Sequence, residues 1–279
     1  MIISQALTSA AKLFIHSESP SLDARVLLGY ALGVDASYLY AHADASLGEQ
    51  SEALFEILVQ RRAKGEPVAY ITNRREFYGS SFFVDSRVLI PRPETEVLVD
   101  QALALLKGAE NPRILDICCG SGCIGISVAI NLGKCDLALS DISSEAIQVA
   151  KINALRAMPG KRAEFYVGDL FGPLQQEPPF DAILSNPPYI ADSEMSGLSC
   201  SIRAYEPALA LQAGPGGLDL IDKIITQAPD YIKSGGFLAI EAGHSQSEAV
   251  ASLMAIAFGN CTVAKDLAGI DRVFIGFMR

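Results

Sequence analysis

The strongest constraint on the fold is an alternation of strand-like and helix-like segments from residue 113 to the end of the sequence. Apolar runs predict strands at 113–117, 137–141, 164–167, 180–185, 237–241 and 273–277, and helical spacing predicts helices at 124–132 and 144–158. Strands that alternate with helices favour an open, mostly parallel sheet with helices on both faces. The sequence therefore predicts an α/β fold for this part of the chain.

The residues before this alternation show the pattern of short, adjacent helices. Apolar residues recur at helical spacing from Ala6 to Phe14, a second helix begins near Ser21 and stops at Gly33, and a third ends near Gly65. Short helices that follow one another closely predict a small bundle.

A change of period separates the bundle from the α/β part. The apolar runs at 68–71 and 82–84 predict the two strands of a hairpin, with Tyr78-Gly79 near its turn. We therefore expect a helical domain at 1–75, a hairpin linker at 76–96 and the α/β domain at 97–279.

A glycine-rich turn follows the first predicted strand of the α/β part. Its sequence, Gly120-Ser121-Gly122-Cys123-Ile124-Gly125, fits the G-x-G-x-x-G pattern that several nucleotide-binding folds share. Because glycine has no side chain, a ligand can approach the backbone there, at the carboxyl edge of the sheet. The turn alone is compatible with a nicotinamide dinucleotide and with S-adenosylmethionine.

Acidic residues at the ends of three predicted strands, Asp116, Asp141 and Asp169, help to distinguish these cofactors. Asp141 can accept hydrogen bonds from ribose hydroxyls or can cap the next helix, and Asp169 can meet an adenine amino group or be an ordinary turn residue. A carboxylate at Asp116 is unfavourable beside a pyrophosphate but suits a cationic amine and a sulfonium. With only three histidines and no evident acid–base set for hydride transfer, the sequence favours methyl transfer over redox chemistry.

The turn Asn186-Pro187-Pro188-Tyr189 directly follows the predicted strand at 180–185. Each proline fixes its own φ and restricts the residue before it, which favours a rigid turn. The side-chain oxygen of Asn186 and the carbonyl of Pro187 can accept both N–H groups of a planar amino group, while Tyr189 packs against its flat face. This grip would orient the nitrogen lone pair toward a methyl donor. The alternative is a proline-rich loop without chemistry.

The charge balance limits the kind of substrate. Lysine and arginine number 22 against 32 aspartates and glutamates, which gives a formal net charge of −10. An acidic surface repels phosphate backbones, so direct nucleic-acid binding is disfavoured. The six cysteines form no C-x-x-C pair, and we expect reduced thiols and no metal site. No apolar run is long enough for a membrane span or a signal-like core, so we predict a cytoplasmic protein without a membrane partner.

The chain resembles the HemK/PrmC family of protein-(glutamine-N5) methyltransferases from about residue 20 to its end. The resemblance rests on Asn186-Pro187-Pro188-Tyr189-Ile190 and on the highly specific segment Leu89-Ile90-Pro91-Arg92-Pro93-Glu94-Thr95-Glu96. Further matching segments lie at 61–62, 65–67, 70–72, 76–79, 205–207, 217–219, 235–236 and 271–273.

The resemblance implies a Rossmann-like, seven-stranded S-adenosylmethionine-dependent methyltransferase domain with a small N-terminal helical bundle. It implies that S-adenosylmethionine is held by residues of the first turn: Cys118, Cys119, Gly120, Ser121 and Gly122. It also implies that Asp141 holds the ribose, that Asp169 and Leu170 border the adenine, and that Asn186 lies close to the cofactor.

The same resemblance assigns catalysis to Asn186, Pro187, Pro188 and Tyr189, which would bind a glutamine side-chain amide. The implied substrate is the glutamine of a Gly-Gly-Gln loop in peptide chain release factors, and the helical domain would dock the body of the factor. We expect a monomer. An adenine-N6 nucleic-acid methyltransferase stays the alternative, because that class shares the tetrapeptide.

Two positions depart from the family pattern. Cys118-Cys119-Gly120 stands where the family usually has Gly-Thr-Gly, so a larger side chain at Cys118 is expected to tighten the turn. Asn73 stands where the family usually has glycine, and asparagine is one of the few residues that tolerate a positive φ. The turn at Asn73 is therefore expected to survive.

Overall fold

The structure, a computed structural model, describes residues 1–160 and 162–279. The chain forms two compact units. The first comprises Met1–Arg74 together with Leu198–Glu206, and the second comprises Arg75–Gly197 together with Pro207–Arg279.

The first unit is a helical bundle, as predicted. Its helices are α1 (Ile3–Leu13), α2 (Pro20–Leu32), α3 (Ala36–Ala41), α4 (Glu49–Ala63) and α5 (Val68–Thr72), joined by the later helix α9 (Cys200–Tyr205). Gly33 ends α2 in the left-handed conformation. The core buries Phe14, Leu27, Leu28 and Phe55. The short helix α3 was not predicted from the sequence.

The predicted strand at 68–71 is wrong, because these residues form helix α5. The amides of Tyr70 and Ile71 both donate to the carbonyl of Pro67, which starts the helical turn. Tyr70 and Ile71 are both buried, so their side chains do not alternate between two faces as in a half-buried strand. Asn73 then ends the helix with φ of 51°, which confirms that the turn survives without glycine.

The hairpin of the second unit differs from the predicted one in both strands: its first strand begins at Arg75 instead of residue 68, and its second begins at Ser80 instead of residue 82. Strands β1 (Arg75–Phe77) and β2 (Ser80–Phe82) pair antiparallel. The two residues between them, Tyr78 and Gly79, both have positive φ, as a type I′ turn requires. Tyr78-Gly79 is thus confirmed as the turn.

The second unit is built on a seven-stranded sheet of order β5-β4-β3-β6-β7-β9-β8. Its strands are β3 (Arg113–Ile117), β4 (Asp136–Asp141), β5 (Ala163–Val167), β6 (Phe180–Ser185), β7 (Ile232–Glu241), β8 (Cys261–Lys265) and β9 (Asp271–Phe277). Its helices are α6 (Glu96–Leu105), α7 (Cys123–Leu132), α8 (Ser144–Ala157), α10 (Asp219–Gln227) and α11 (Ser247–Phe258). Strands β3 to β7 are parallel, whereas β9 runs antiparallel to its neighbours.

The α/β fold with a seven-stranded sheet is therefore confirmed. Two buried clusters cover its two faces, and alternate residues of β3 point into each of them: Ile114 into one, Leu115 and Ile117 into the other. Strand β8 was not predicted from the residues, because most of its side chains are partly or fully exposed and its apolar pattern is weak.

The strand order places two turns side by side. From β3 the chain continues outward through β4 and β5, and β6 then returns to the opposite side of β3. Such a reversal of strand order is where open α/β sheets bind ligands. Ile117 pairs with Ser185 at the carboxyl ends of β3 and β6, and the Ser185 hydroxyl donates to the Ile117 carbonyl at 2.8 Å. The glycine turn and the Asn-Pro-Pro-Tyr turn therefore start from neighbouring points.

Candidate active site

The glycine turn is held by two backbone hydrogen bonds, one to β4 and one within the turn. The amide of Cys119 donates to the carbonyl of Ser140 on β4 at 3.0 Å, and the amide of Gly122 donates to the carbonyl of Cys119 at 2.7 Å. Gly122 has φ of 76°, and a Cβ there would lie 2.9 Å from Leu139, so only glycine fits. Cys118 also has a positive φ, 59°, which explains why the family prefers glycine at this position.

Asp116 does not act as the charged neighbour that the sequence suggested. Its side chain is completely buried behind the turn, where Oδ2 accepts a hydrogen bond from the Gly125 amide at 2.9 Å and Oδ1 has no partner in the described part of the chain. Burial raises the pKa of Asp116 to about 8, and the Gly125 hydrogen bond only partly opposes this. The carboxyl is therefore mainly neutral at pH 7, which corrects the expectation of a carboxylate beside the ligand.

Asp141 faces the cavity at the end of β4. Its Oδ2 accepts a hydrogen bond from the Gly120 amide and its Oδ1 from the Ser143 amide, each at 2.9 Å. Burial raises its pKa, whereas these two backbone hydrogen bonds lower it. Helix α8 is capped by the Ser143 hydroxyl, which accepts from Ala146, so Asp141 is not needed as the helix cap. Each carboxylate oxygen keeps lone-pair capacity for a ligand.

A cavity of about 400 Å³ opens at the carboxyl edge of the sheet. Its size lies within the roughly 300–1,000 Å³ usual for small-molecule sites. Nine of the predicted site residues line it: Cys118, Cys119, Gly120, Ser121, Asp141, Asp169, Leu170, Asn186 and Pro188. Gly122, Pro187 and Tyr189 lie outside this lining. Gly122 instead starts helix α7.

The Asn-Pro-Pro-Tyr turn is anchored at both of its ends. Nδ2 of Asn186 donates to the hydroxyl of Thr95 at 3.0 Å. At the other end, Nε2 of Gln246 donates to the carbonyl of Tyr189 at 2.9 Å, and the Ile190 amide donates to the carbonyl of Leu211 at the same distance. The side-chain amide that the sequence singled out is therefore held in one place.

Three residues of this arrangement were missed as site residues from the sequence: Thr95, Glu241 and Gln246. Thr95 belongs to the segment 89–96, which was assigned only to the linker. Glu241 ends β7, the neighbour of β6, and is 1% exposed. A polar residue at the end of a strand beside β6 was the available signal, because the carboxyl ends of parallel strands meet at one edge.

Burial makes the thiols of the cysteines near the glycine turn unreactive. All six cysteines are free. Burial raises the pKa of Cys123 to about 12 and that of Cys119 well above its usual value, so both stay protonated.

In residues 1–160 and 162–279, no three side chains of histidine, cysteine, aspartate or glutamate are grouped to hold a metal ion. Nor does any helix in those ranges have the length and apolar character needed to cross a membrane.

Comparison with known proteins identifies the family. The family model of the PrmC N-terminal domain matches residues 5–72, and that of the methyltransferase small domain matches residues 94–201. A release factor glutamine methyltransferase of Koribacter versatilis is 36% identical over 278 residues, which span 99% of this chain and 98% of the relative. The chain belongs to the release factor glutamine methyltransferase family.

Membership in the release factor glutamine methyltransferase family is supported by further relatives. The protein of that name from Geobacter sulfurreducens is 40% identical over 260 residues, which span 93% of this chain and 90% of the relative. The resemblance inferred from the Asn-Pro-Pro-Tyr turn and the segment 89–96 is thus confirmed.

Solved structures of more distant methyltransferases share the fold. The hMettl16 catalytic domain in complex with a MAT2A 3'UTR hairpin aligns with a TM-score of 0.60 at 16% identity, covering 76% of this chain and 80% of its own. The Thermus thermophilus 16S rRNA N2 G1207 methyltransferase, in complex with AdoMet and guanosine, aligns with a TM-score of 0.54, also at 16% identity. It covers 74% of this chain and 50% of its own. At this identity the likeness concerns the fold alone.

Proposed function

We propose that this chain transfers a methyl group from S-adenosylmethionine to the side-chain amide nitrogen, N5, of the glutamine in the Gly-Gly-Gln loop of peptide chain release factors. One observation carries the proposal: Asn186 lines the same cavity as the glycine turn and Asp141. Family membership then specifies the amide to be methylated.

The residues of the cavity fit the proposed cofactor. A Cβ built on Gly120 would meet no atom within 4 Å, so the backbone borders open space that a ligand can approach. Asp141 offers carboxylate oxygens suited to ribose hydroxyls, and Asp169 and Leu170 line the position proposed for the adenine. When bound, S-adenosylmethionine supplies an electrophilic methyl group on its sulfonium.

The chain's own contribution to methyl transfer is orientation of the amide nucleophile. An amide nitrogen is a poor nucleophile because its lone pair is delocalised into the carbonyl group. Nδ2 of Asn186 faces Thr95, which leaves Oδ1 as the atom that accepts a substrate N–H. The Pro187 carbonyl is the proposed second acceptor, with Pro188 fixing the turn and Tyr189 packing against the amide. As positive charge builds on the nitrogen, these acceptors hold its protons more strongly.

The remaining parts of the proposal concern partners and location. The helical unit is proposed to bind the body of the release factor, and the enzyme to act in the cytoplasm as a monomer without binding nucleic acid directly. The net charge of −10 supports a protein rather than a nucleic-acid substrate. Light scattering after gel filtration tests the oligomeric state.

Incubation of the purified protein with radiolabelled S-adenosylmethionine and a purified release factor tests the reaction. We expect label on the factor, and mass spectrometry should place one methyl group on the loop glutamine. A factor with that glutamine replaced by alanine should stay unlabelled. Equal labelling of both factors would refute the site, and label on an adenine-containing oligonucleotide instead would favour the adenine-N6 alternative.

A further inference from the structure

A buried carboxyl, that of Glu241, lies at the end of the strand next to the one that leads into the Asn-Pro-Pro-Tyr turn. Glu241 is the last residue of β7, directly after Ile240, which pairs with Ser185 at the end of β6. The Glu241 side chain accepts a hydrogen bond from the Thr95 hydroxyl, while its buried Oε2 has no hydrogen-bond partner among the residues that the structure describes. Leaving a carboxylate oxygen unsatisfied in the core is costly.

Thr95 connects the Glu241 carboxyl to Asn186, the residue proposed to bind the substrate amide. A threonine hydroxyl has one proton to donate, and that proton goes to Glu241. The Thr95 oxygen can then only accept a hydrogen bond from Asn186, and Nδ2 of Asn186 is the donor at 3.0 Å. The direction of each hydrogen bond in the chain from Asn186 through Thr95 to Glu241 is therefore determined by the carboxylate.

We propose that Glu241 is a positioning residue for methyl transfer, and that through Thr95 it fixes which end of the Asn186 amide faces the substrate nitrogen. The inference rests on the proposed function, because the correct end is defined by the substrate. With Oδ1 toward the cavity, Asn186 accepts a substrate N–H. With the amide reversed, the NH₂ group of Asn186 would face the NH₂ group of the glutamine, and Asn186 could no longer accept a substrate N–H.

The protonation state of Glu241 controls this direction. A neutral carboxyl can donate its own proton to the Thr95 oxygen, and the Thr95 hydroxyl is then free to donate to Asn186 Oδ1, which reverses the amide. Burial raises the pKa of Glu241 to about 7, while the hydrogen bond from Thr95 and the charge of Arg272 oppose this rise. The charges of Glu94 and Asp266 also act on Glu241, and the charge of Glu241 acts in turn on Tyr189 and Cys123.

The protonation state of Glu241 determines how kcat should change with pH. Above about pH 7 the carboxylate accepts from Thr95 and holds Asn186 in the productive orientation. Below it, the protonated form permits the reversed orientation. The turnover number, kcat, should therefore rise with pH through about 7, whereas the affinity for S-adenosylmethionine should change little.

Three variants separate positioning from folding. Thr95→Val keeps the side-chain shape but removes the hydroxyl, and we expect kcat to fall roughly 10- to 100-fold, as when the supporting partner of an active-site group is lost. Thr95→Ser keeps the hydroxyl and should restore kcat to within about 3-fold of the unmodified enzyme. Glu241→Gln should lower kcat about 10-fold at pH 8 and abolish its rise through pH 7.

A measurement without a methyl acceptor keeps this inference independent of the proposed substrate. The side-chain ¹⁵N–¹H signals of Asn186, assigned by their loss in Asn186→Ala, should shift with a midpoint near pH 7 in the unmodified protein and not in Glu241→Gln. Unshifted signals across this range, or a kcat of Thr95→Val equal to that of the unmodified enzyme, would overturn the role of Glu241. If the Asn186 signals shift as expected but no release factor is labelled, the result would instead count against the proposed substrate.

Discussion

The amide of Gly125 donates a hydrogen bond to Oδ2 of Asp116 at 2.9 Å, inside a core where Asp116 has no exposed surface. The contact joins the first turn of α7 to β3. It is also sterically tight, because a Cβ built on Gly125 would lie 2.8 Å from Cβ of Asp116. The position of the glycine turn over the sheet depends on this approach.

Substitution of this glycine should therefore cost stability. We expect Gly125→Ala to lower the free energy of unfolding by about 1–3 kcal/mol, because the added methyl group overpacks the contact with Asp116. Urea unfolding followed by circular dichroism measures this. The contrasting variant is Gly120→Ala, whose Cβ meets no atom of the described residues within 4 Å but borders the cavity, and whose φ of 52° should itself cost about 1–2 kcal/mol of stability. It should weaken S-adenosylmethionine binding at least about 10-fold, and unchanged binding in calorimetry would contradict the proposed cofactor position.

The buried carboxyl of Asp116 should make stability depend on pH. Its pKa is raised from an ordinary 3.8 to about 8 in the folded protein, so the folded state binds more protons than the unfolded state between these values. Its contribution to stability is therefore lost as pH rises from about 4 to 8, at up to about 1.4 kcal/mol per pH unit. Asp116→Asn should remove this slope in urea unfolding measured at pH 5, 6, 7 and 8.

The comparison between variant and unmodified protein isolates Asp116 from other titrating groups. The stability of Asp116→Asn relative to the unmodified protein should grow as pH rises. A variant at the exposed Asp44, Asp44→Asn, should follow the unmodified protein across the same range. Parallel curves for Asp116→Asn would show that the Asp116 carboxyl does not titrate as described.

The cysteine at position 118 should carry backbone strain. Its φ of 59° lies in the left-handed region, which costs a residue with a Cβ about 1–2 kcal/mol. Cys118→Ala removes only the thiol, whereas Cys118→Gly also removes the Cβ. We expect the glycine variant to be more stable than the alanine variant by about 0.5–1 kcal/mol, after the larger entropy of unfolded glycine is included. Thermal unfolding of both variants measures the difference, and equal midpoints would argue against strain at this turn.

The hydrogen bonds that Gln246 makes at the far end of the Asn-Pro-Pro-Tyr turn can be tested by replacing its side-chain nitrogen with oxygen. Nε2 of Gln246 donates to the carbonyls of Tyr189 and Gly217, each at 2.9 Å. Gln246→Glu keeps the shape but places a carboxylate oxygen against these two carbonyls. We expect kcat to fall at least about 10-fold and stability by about 1–3 kcal/mol. Gln227→Glu, on an exposed site of α10, is the matched control and should change neither. A fully active Gln246→Glu enzyme would show that the turn needs no anchor there.

How well the sequence predicts a strand depends on how deeply the side chains of that strand are buried. Strands such as β3 and β6 are buried on both faces and appear as continuous apolar runs, so they were predicted nearly to the residue. Strand β8 is largely exposed at the sheet edge, and its pattern carries little signal. The run at 68–71 is too short for its period to separate strand from helix, and its contacts with the bundle core decide in favour of a helix.

The candidate site shows the same division between local and long-range information. The glycine turn and the Asn-Pro-Pro-Tyr turn are contiguous in sequence, and their chemistry can be inferred from neighbouring residues. The hydrogen bond between Asn186 and Thr95 spans 91 residues, and the bond between Gln246 and Tyr189 spans 57. Only the tertiary fold brings such partners together, so residue patterns did not predict them.

The segment Leu198–Glu206 belongs to the helical unit, although it interrupts the sequence of the sheet unit. There the Ser201 hydroxyl donates to the carbonyl of Gly65, and the Tyr205 hydroxyl donates to that of Lys64. The backbone thus passes from one unit to the other at 74/75, 197/198 and 206/207. A chimera that borrows only the first 74 residues from a relative would pair a foreign bundle with a native α9. Exchange of the bundle between relatives therefore requires transplanting both pieces of chain together.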